Sequence, residues 1–198
     1  MAYAGWPPQA VAAKAKLEEA LGAVLAAEQP GSKWPKTTLG ALHDGRTLDL
    51  VELERLDAVL KDLTSQLIGS GWRAEAGEMS LTVFKCTGQE RLFGRTDLPL
   101  AGGPPDGAPP GEASRAYSEQ VLAEGSDLTA YLPDVQREGS RAAKYRGFRP
   151  GASLVVFARP PEQWLEALRS AVDEALPGAY AWLDSSSLHC TVRGLFCL

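Results

Sequence analysis

The chain contains only two histidines, and one of them lies in a pattern that suits phosphate chemistry. His189, Thr191 and Arg193 occupy alternate positions of the C-terminal stretch HCTVRGL, residues 189–195. An imidazole exchanges protons near neutral pH, a hydroxyl can donate to a phosphate oxygen, and a guanidinium adds positive charge. If the stretch is a β-strand, the three polar side chains share one face, and the intervening apolar residues enter the core.

A second stretch, KTTLGAL at residues 36–42, matches the first in residue type. Position by position, the two heptapeptides share an ionisable residue, a small residue, Thr, an aliphatic residue, two further residues and Leu. On a strand, Lys36 and Thr38 share a face as His189 and Thr191 do. This internal similarity predicts two related halves whose polar faces meet across one groove.

The pattern His-x-Thr-aliphatic, expected twice, resembles that of the two-histidine phosphoesterase superfamily, which includes RNA-ligase-like 2′,3′-cyclic nucleotide phosphodiesterases. The spans KWPKTTLGAL and SLHCTVRGL are also similar to plant and algal proteins with that family label. The resemblance covers residues 35–198. It implies an α+β, bilobal, pseudo-symmetric fold with antiparallel sheets lining a central groove. It also implies two histidines as acid and base, and threonines that bind the phosphate oxygens of an RNA or nucleotide.

Lys36 stands where that pattern has its first histidine. An unperturbed lysine, with a pKa of about 10.4, is protonated at neutral pH, so it would supply charge or act as a weak acid rather than as a base. His43 lies seven residues further on, before the turn-like Asp44–Gly45, and we expect it to be a surface or turn residue. The remaining histidine, His189, would be the acid or base, and Lys36 could serve as a base only if desolvation lowered its pKa by several units.

Two functional hypotheses follow. The first is a metal-independent cyclic phosphodiesterase, weakened by the missing histidine, in which His189 and Lys36 are catalytic. Thr38, Thr191 and Arg193 would then bind the phosphate. The second is a non-catalytic module that binds an RNA end or a partner protein. A third interpretation stays open, in which HCTVRGL is a core strand with a hydrogen-bonded histidine.

Residues 137–151, REGSRAAKYRGFRPG, form the most basic stretch of the chain. Arginines and a lysine alternate there with Tyr145 and Phe148. Such a mixture can hold a nucleic-acid backbone while an aromatic ring stacks on a base. Tyr145 and Arg146 are therefore candidate substrate contacts. The competing interpretation is a solvated loop.

The elements that would position these residues follow from the spacing of apolar residues. Helices are predicted over residues 9–29, 47–68 and 161–176, and strands over residues 37–42, 79–86, 152–158 and 187–196. Residues 97–111 are so rich in Pro and Gly that they predict a loop insert. Residues 114–147 show no clear pattern beyond a short strand at 128–132. Strands and a helix in each half predict an α+β fold.

Bulk properties narrow the class of protein. With 198 residues the chain fits one domain, and a net charge of −5 argues against extensive wrapping by nucleic acid. The three cysteines form no C-x-x-C pair, which indicates a reducing compartment. We find no P-loop, dinucleotide fingerprint or zinc-ligand spacing, so no cofactor or metal is expected.

The hydropathy and the N-terminal residues of the chain bear on its location. No apolar run is long enough for a membrane span, and the first residues lack the core of a signal peptide. A cytoplasmic protein is the expectation, and a leader removed earlier would not be visible. Trp34, Trp164 and Trp182 are expected to be core anchors. Ser185–Ser187 lacks the G-x-S-x-G context of a nucleophile.

Overall fold

The computed structural model describes residues 1–25, 34–100, 109–137 and 140–197, and this part of the chain is α+β. Its α-helices are α1 (Pro8–Leu21), α2 (Leu50–Gly69), α3 (Glu112–Glu124), α4 (Leu128–Gln136), α5 (Ala142–Arg146) and α6 (Glu162–Ala175). Its strands are β1 (Gly40–Leu42), β2 (Glu78–Phe84), β3 (Leu92–Pro99), β4 (Gly151–Val156), β5 (Tyr180–Trp182) and β6 (Cys190–Cys197).

Four strands form an antiparallel sheet in the order β3-β2-β4-β6. Helix α1 covers one face of this sheet, where Trp6 and Ala10 pack with apolar side chains from three of the strands. Those side chains are Met79, Leu154, Val156, Cys190 and Val192. Alternate residues of β4 therefore point toward α1, and the others point to the opposite face.

The second sheet is the antiparallel pair β1 and β5. It belongs to a larger apolar core that contains α2 and α6, with α4 packed against it. Helix α2 begins at a capping box, in which Asp49 accepts from the Glu52 amide and the Glu52 carboxylate accepts from the Asp49 amide. Its stripe of Leu53, Leu56 and Leu63 is buried, as the leucine spacing predicts.

Several predicted elements are confirmed with small shifts of their ends. The helices at 47–68 and 161–176 and the strands at 79–86 and 152–158 correspond to α2, α6, β2 and β4. The predicted helix at 9–29 is observed as α1, which ends at Leu21, and residues 26–29 lie outside the described part. The predicted strand at 37–42 is regular only at Gly40–Leu42, and the one at 187–196 begins at Cys190.

The short strand predicted at 128–132 is wrong, because these residues begin helix α4. The Asp127 carboxylate caps this helix by accepting from the amides of Thr129 and Ala130. Leu128 and Leu132 are four residues apart, so on a helix both reach the core beside α2. The apolar pair is compatible with either structure, and the capping aspartate decides in favour of the helix.

The predicted loop at 97–111 begins inside a strand, since β3 extends to Pro99. Residues 101–108 of this insert lie outside the described part. The unassigned stretch at 114–147 contains most of α3 and all of α4 and α5. No helix in the described residues is both long and apolar enough to cross a lipid bilayer.

Strand β6 contains an irregularity that affects the candidate site. Val155 of β4 faces Thr191, but Leu154 faces Arg193, so Val192 is an extra residue on β6. A bulge of this kind turns the side chains beyond it to the other face of the sheet. Arg193 therefore points to the α1 face, away from Thr191.

Candidate functional site

Residues from both heptapeptides line one cavity of about 210 Å³. Lys36 and Thr38 come from the first stretch, and His189 and Thr191 come from the second. The rest of the lining consists of Trp34, Thr87, Gly88, Lys144, Tyr145 and Leu183. The fold thus brings together side chains that are more than a hundred positions apart in the sequence.

Backbone pairing places the two stretches side by side. Thr37 and Cys190 form an antiparallel bridge, and both side chains are buried beneath the cavity, with exposed fractions of 1% and 3%. In that register Lys36 lies opposite Thr191, and Thr38 lies opposite His189. The ionisable residue of each stretch, Lys36 or His189, is therefore next to the threonine of the other stretch.

The first stretch is held in place from its other side. Ala2 forms an antiparallel bridge with Lys36, and the Tyr3 amide donates to the Pro35 carbonyl at 3.1 Å. The Tyr3 hydroxyl and the Thr37 hydroxyl are hydrogen bonded at 2.9 Å. These contacts fix the backbone on which Lys36 and Thr38 lie.

His189 is partly buried, and its tautomer is set by the backbone. Its Nδ1–H donates to the Ser187 carbonyl at 2.7 Å, because a carbonyl oxygen can only accept. In the neutral ring this leaves Nε2 as the acceptor. Burial lowers the pKa of His189 below its usual 6.5, and the Ser187 carbonyl opposes that shift. The ring is consequently neutral at pH 7, as a general base requires.

The ring of His189 has an aromatic neighbour outside the cavity lining. The Phe157 ring meets it edge to face, with 6.3 Å between the ring centroids. The Arg95 guanidinium lies over the same Phe157 ring, 4.2 Å from its centroid. This arrangement restricts the orientation of the imidazole without providing a second hydrogen-bond partner.

Lys36 is exposed as a residue, but its amine lies over the Trp34 ring, 4.7 Å from the centroid. Partial burial lowers the pKa of Lys36, and repulsion from Lys144 lowers it further. Among the residues that the structure describes, no acidic side chain lines the cavity. The site is therefore a positively charged cavity with hydroxyl donors, which suits an anion.

Lys144 and Tyr145 reach the cavity through contacts between the β2–β3 loop, residues 85–91, and α5. The Thr87 hydroxyl donates to the Lys144 carbonyl at 2.8 Å, and the Gly88 amide donates to the Tyr145 carbonyl at 2.9 Å. Gly88 packs closely here, since a Cβ at this position would lie 3.1 Å from the Tyr145 carbonyl oxygen. These contacts connect the four-stranded sheet to the wall of the cavity.

Two predicted substrate contacts lie elsewhere. Arg193 points to the α1 face because of the β6 bulge, and its buried guanidinium forms an ion pair with the partly exposed Glu18 carboxylate. Arg146 forms two hydrogen bonds with the Glu90 carboxylate, at 2.9 and 3.2 Å, and donates to the Trp182 carbonyl. Neither arginine lines the cavity.

The rest of the basic stretch is largely engaged within the protein. Arg137 pairs with Asp134, and Arg141 donates to the carbonyls of Arg46 and Val135. Phe148 is exposed. Of the basic side chains in residues 137–151 that the structure describes, only Lys144 lines the cavity.

The structure also places the other candidate residues. His43 is exposed in a turn and does not line the cavity. Trp34, expected to be a core anchor, lines the cavity instead, whereas Trp164 and Trp182 pack against the α2–α6 core as expected. All three cysteines are free. No group of three or more metal-ligating side chains is found in the described ranges.

Sequence reasoning missed Thr87, Gly88 and Lys144 as residues of the cavity. Thr87–Gly88 is recognisable as a turn, and Lys144 lies in the basic stretch. Neither signal indicates that the turn docks against α5. In comparisons with known proteins, no family model, curated protein or solved structure matches this chain.

Proposed function

We propose that the protein is a phosphoesterase that opens the 2′,3′-cyclic phosphate of an RNA end or a nucleotide. One observation carries this proposal: the two heptapeptides pair in antiparallel register around a single cavity that they line with Lys36, Thr38, His189 and Thr191. We infer that they are pseudo-symmetric mates in a bilobal fold of the two-histidine phosphoesterase type, with lysine in place of one histidine. The substrate would be a terminal cyclic phosphodiester.

The proposed reaction divides the proton transfers between His189 and Lys36. His189, neutral and with Nε2 free to accept, removes a proton from water, and the resulting hydroxide attacks phosphorus. The bond from phosphorus to one ribose oxygen breaks, and that oxygen takes a proton from the Lys36 ammonium. The products are a phosphate monoester and a free ribose hydroxyl. Proton transfer between the two side chains through solvent restores the starting state.

The two threonines and Lys36 stabilise the charge that develops during this step. Hydroxyls of Thr38 and Thr191 donate to the non-bridging oxygens of the pentacoordinate phosphorus. The Lys36 ammonium adds positive charge, and its depressed pKa makes it a better acid than an ordinary lysine. An ammonium is still a weaker acid than an imidazolium, so a slow turnover is consistent with this arrangement.

The test is hydrolysis of adenosine 2′,3′-cyclic phosphate by the purified protein. His189→Gln should reduce the rate by about 10²- to 10⁴-fold, which is the usual loss when a general base is removed. The other histidine provides the matched control, so His43→Gln should hydrolyse the nucleotide as fast as the wild type. Equal rates for wild type and His189→Gln would refute the proposal.

Lysine at the first position of the pattern favours a second candidate function, which is binding of an RNA end without turnover. In that case the wild type would bind the cyclic nucleotide but leave it intact. Lys36→Met would then weaken binding, while His189→Gln would bind as well as the wild type. The two functions therefore differ in which single substitution has the larger effect.

A further inference from the structure

The cavity contains a second amine that the proposed reaction does not use. Lys144 lines it together with Lys36, and the two ammonium groups are close enough to repel each other. The Lys144 amine donates a long hydrogen bond, 3.4 Å, to the Ser140 hydroxyl. Among the described residues, neither lysine forms an ion pair with a carboxylate. Two positive charges thus share a cavity to which the described part of the chain contributes no carboxylate.

Two cations are more than a cyclic phosphate requires. A cyclic diester carries one negative charge, whereas a phosphate monoester carries between 1.5 and 2 at about pH 7 because its second pKa is about 6. Repulsion between Lys36 and Lys144 is relieved fully only by a ligand that can offset both charges. The best electrostatic match to this cavity is therefore a dianion.

We propose that Lys144 is a specificity-determining residue that adapts the cavity to the dianionic 2′- or 3′-phosphate monoester of a nucleotide or RNA end. This inference rests on the proposed function for the position of the phosphate between Thr38 and Thr191. It adds that the protein holds the hydrolysed end more tightly than the cyclic one. The hydrolysed end is the form that would occupy the cavity at equilibrium.

The main chain supports a fixed position for Lys144. Its carbonyl accepts from the Thr87 hydroxyl, and the next carbonyl, that of Tyr145, accepts from the Gly88 amide. The β2–β3 loop that supplies both donors is itself fastened to β4 by buried Gln89, whose side-chain amide donates to the Ser153 hydroxyl at 2.9 Å. Lys144 therefore extends from a supported backbone and not from a free loop.

The test compares ligands that differ in charge but not in ring closure. Adenosine 3′-phosphate is a dianion at about pH 7.5, and its methyl ester, adenosine 3′-methylphosphate, is an acyclic monoanion. At equal ionic strength, the wild type should bind the monoester about tenfold more tightly than the methyl ester, as one additional charge contact implies. The 2′-phosphate and its methyl ester provide a second pair.

Three variants make the test specific to Lys144. Lys144→Met should reduce the monoester preference to about twofold or less, whereas Lys144→Arg, which keeps the charge, should retain most of it. Lys16→Met removes an exposed lysine of α1 that does not line the cavity, and it should leave the preference unchanged. An absent preference in the wild type, or an undiminished one in Lys144→Met, would overturn the inference.

Failure of this inference can be distinguished from failure of the proposed function. Hydrolysis that depends on His189 without a monoester preference would reject the role of Lys144 alone. A monoester preference that depends on Lys144, without any hydrolysis, would reject the phosphoesterase and leave a receptor for phosphorylated ends. The hydrolysis assay can therefore reject the phosphoesterase alone, and the binding assay can reject the role of Lys144 alone.

Discussion

At the scale of single residues, His189 and Lys36 have opposite requirements in the same cavity. Burial favours the neutral form of both, and for His189 the neutral form is the one that can accept a proton. For Lys36 the form that can donate a proton is the ammonium, and an anion bound in the cavity would favour that form. We expect ligand binding to raise the pKa of Lys36.

Burial of a neutral His189 predicts how stability depends on pH. The pKa of His189 is below 6.5 in the folded protein and about 6.5 in the unfolded chain, so between these values only the unfolded chain binds the proton. The free energy of unfolding therefore increases with pH in this window. His189 makes its full contribution above about pH 6.5, and this contribution is lost progressively on acidification.

Urea unfolding at about pH 7.5 and about pH 5 measures this contribution. The loss of stability on acidification should be smaller in His189→Gln than in the wild type, since the variant lacks the group that protonates on unfolding. His43→Gln, which alters the exposed turn histidine, is the comparison variant. If His189→Gln and the wild type lose equal stability, the imidazole is not held neutral by burial.

At the scale of elements, one bulge in β6 decides which polar residues reach the cavity. Without the extra residue Val192, strand alternation would place Arg193 on the side of Thr191. With it, Arg193 pairs with Glu18 and holds α1 against the sheet. On the same strand, Thr191 therefore lines the cavity, and Arg193 contributes to the packing of α1.

The junction of β2, β4 and β6 is predicted to be intolerant of added volume. A Cβ at Gly151 would lie 2.5 Å from the Phe196 carbonyl oxygen and 2.6 Å from the Phe84 ring. Since the carbonyl belongs to a paired strand, it cannot move aside cheaply. Gly151→Ala should therefore lower the free energy of unfolding by about 1–3 kcal/mol, as overpacking of a core usually does.

Denaturant unfolding of Gly151→Ala beside Gly94→Ala tests this expectation. Gly94, on β3, has open space where a Cβ would be added, so its substitution should change stability by no more than about 0.5 kcal/mol. Gly151→Ala should also slow hydrolysis, because β4 positions the strand that follows His189. Equal stability of the two variants would mean that the sheet junction adjusts more easily than its geometry implies.

At the scale of the whole molecule, a cavity lined by two lysines belongs to an acidic protein. The net charge is −5, and most arginines of the basic stretch are paired or bonded internally. Because non-specific RNA binding depends on neutralising many phosphates, such a protein should engage an RNA end and not its body. This favours recognition of the terminal phosphate.

The salt dependence of RNA binding checks this expectation. Two cavity lysines imply that log K falls with log salt at a slope of about −1.4 for single-stranded RNA. A 12-nucleotide RNA with a 3′-phosphate should therefore bind only slightly more tightly than adenosine 3′-phosphate in a KCl series. A slope steeper than about −3 would indicate an extended basic surface that the described residues do not show.

The sequence by itself determined the local features of this protein. The leucine spacing of α2 and the apolar content of β2 and β4 predict their elements, since each depends on neighbours only a few residues away. The alternation within the two heptapeptides also placed Lys36 with Thr38 and His189 with Thr191. Strand β3 and helices α3 to α5 were not predicted, because their apolar patterns are weak.

Tertiary structure decided which residues meet. The Thr87 hydroxyl donates to the Lys144 carbonyl, 57 residues away in the sequence, and the Arg193 guanidinium donates to the Glu18 carboxylate, 175 residues away. Such partners depend on the docking of whole elements and on a single bulge in a strand. A side-chain pattern specifies a face, but the backbone register specifies which side of the sheet that face occupies. For this reason the sequence predicted a groove lined by the two heptapeptides. Only the tertiary structure showed that Arg193 lies outside the cavity and that Lys144 lines it.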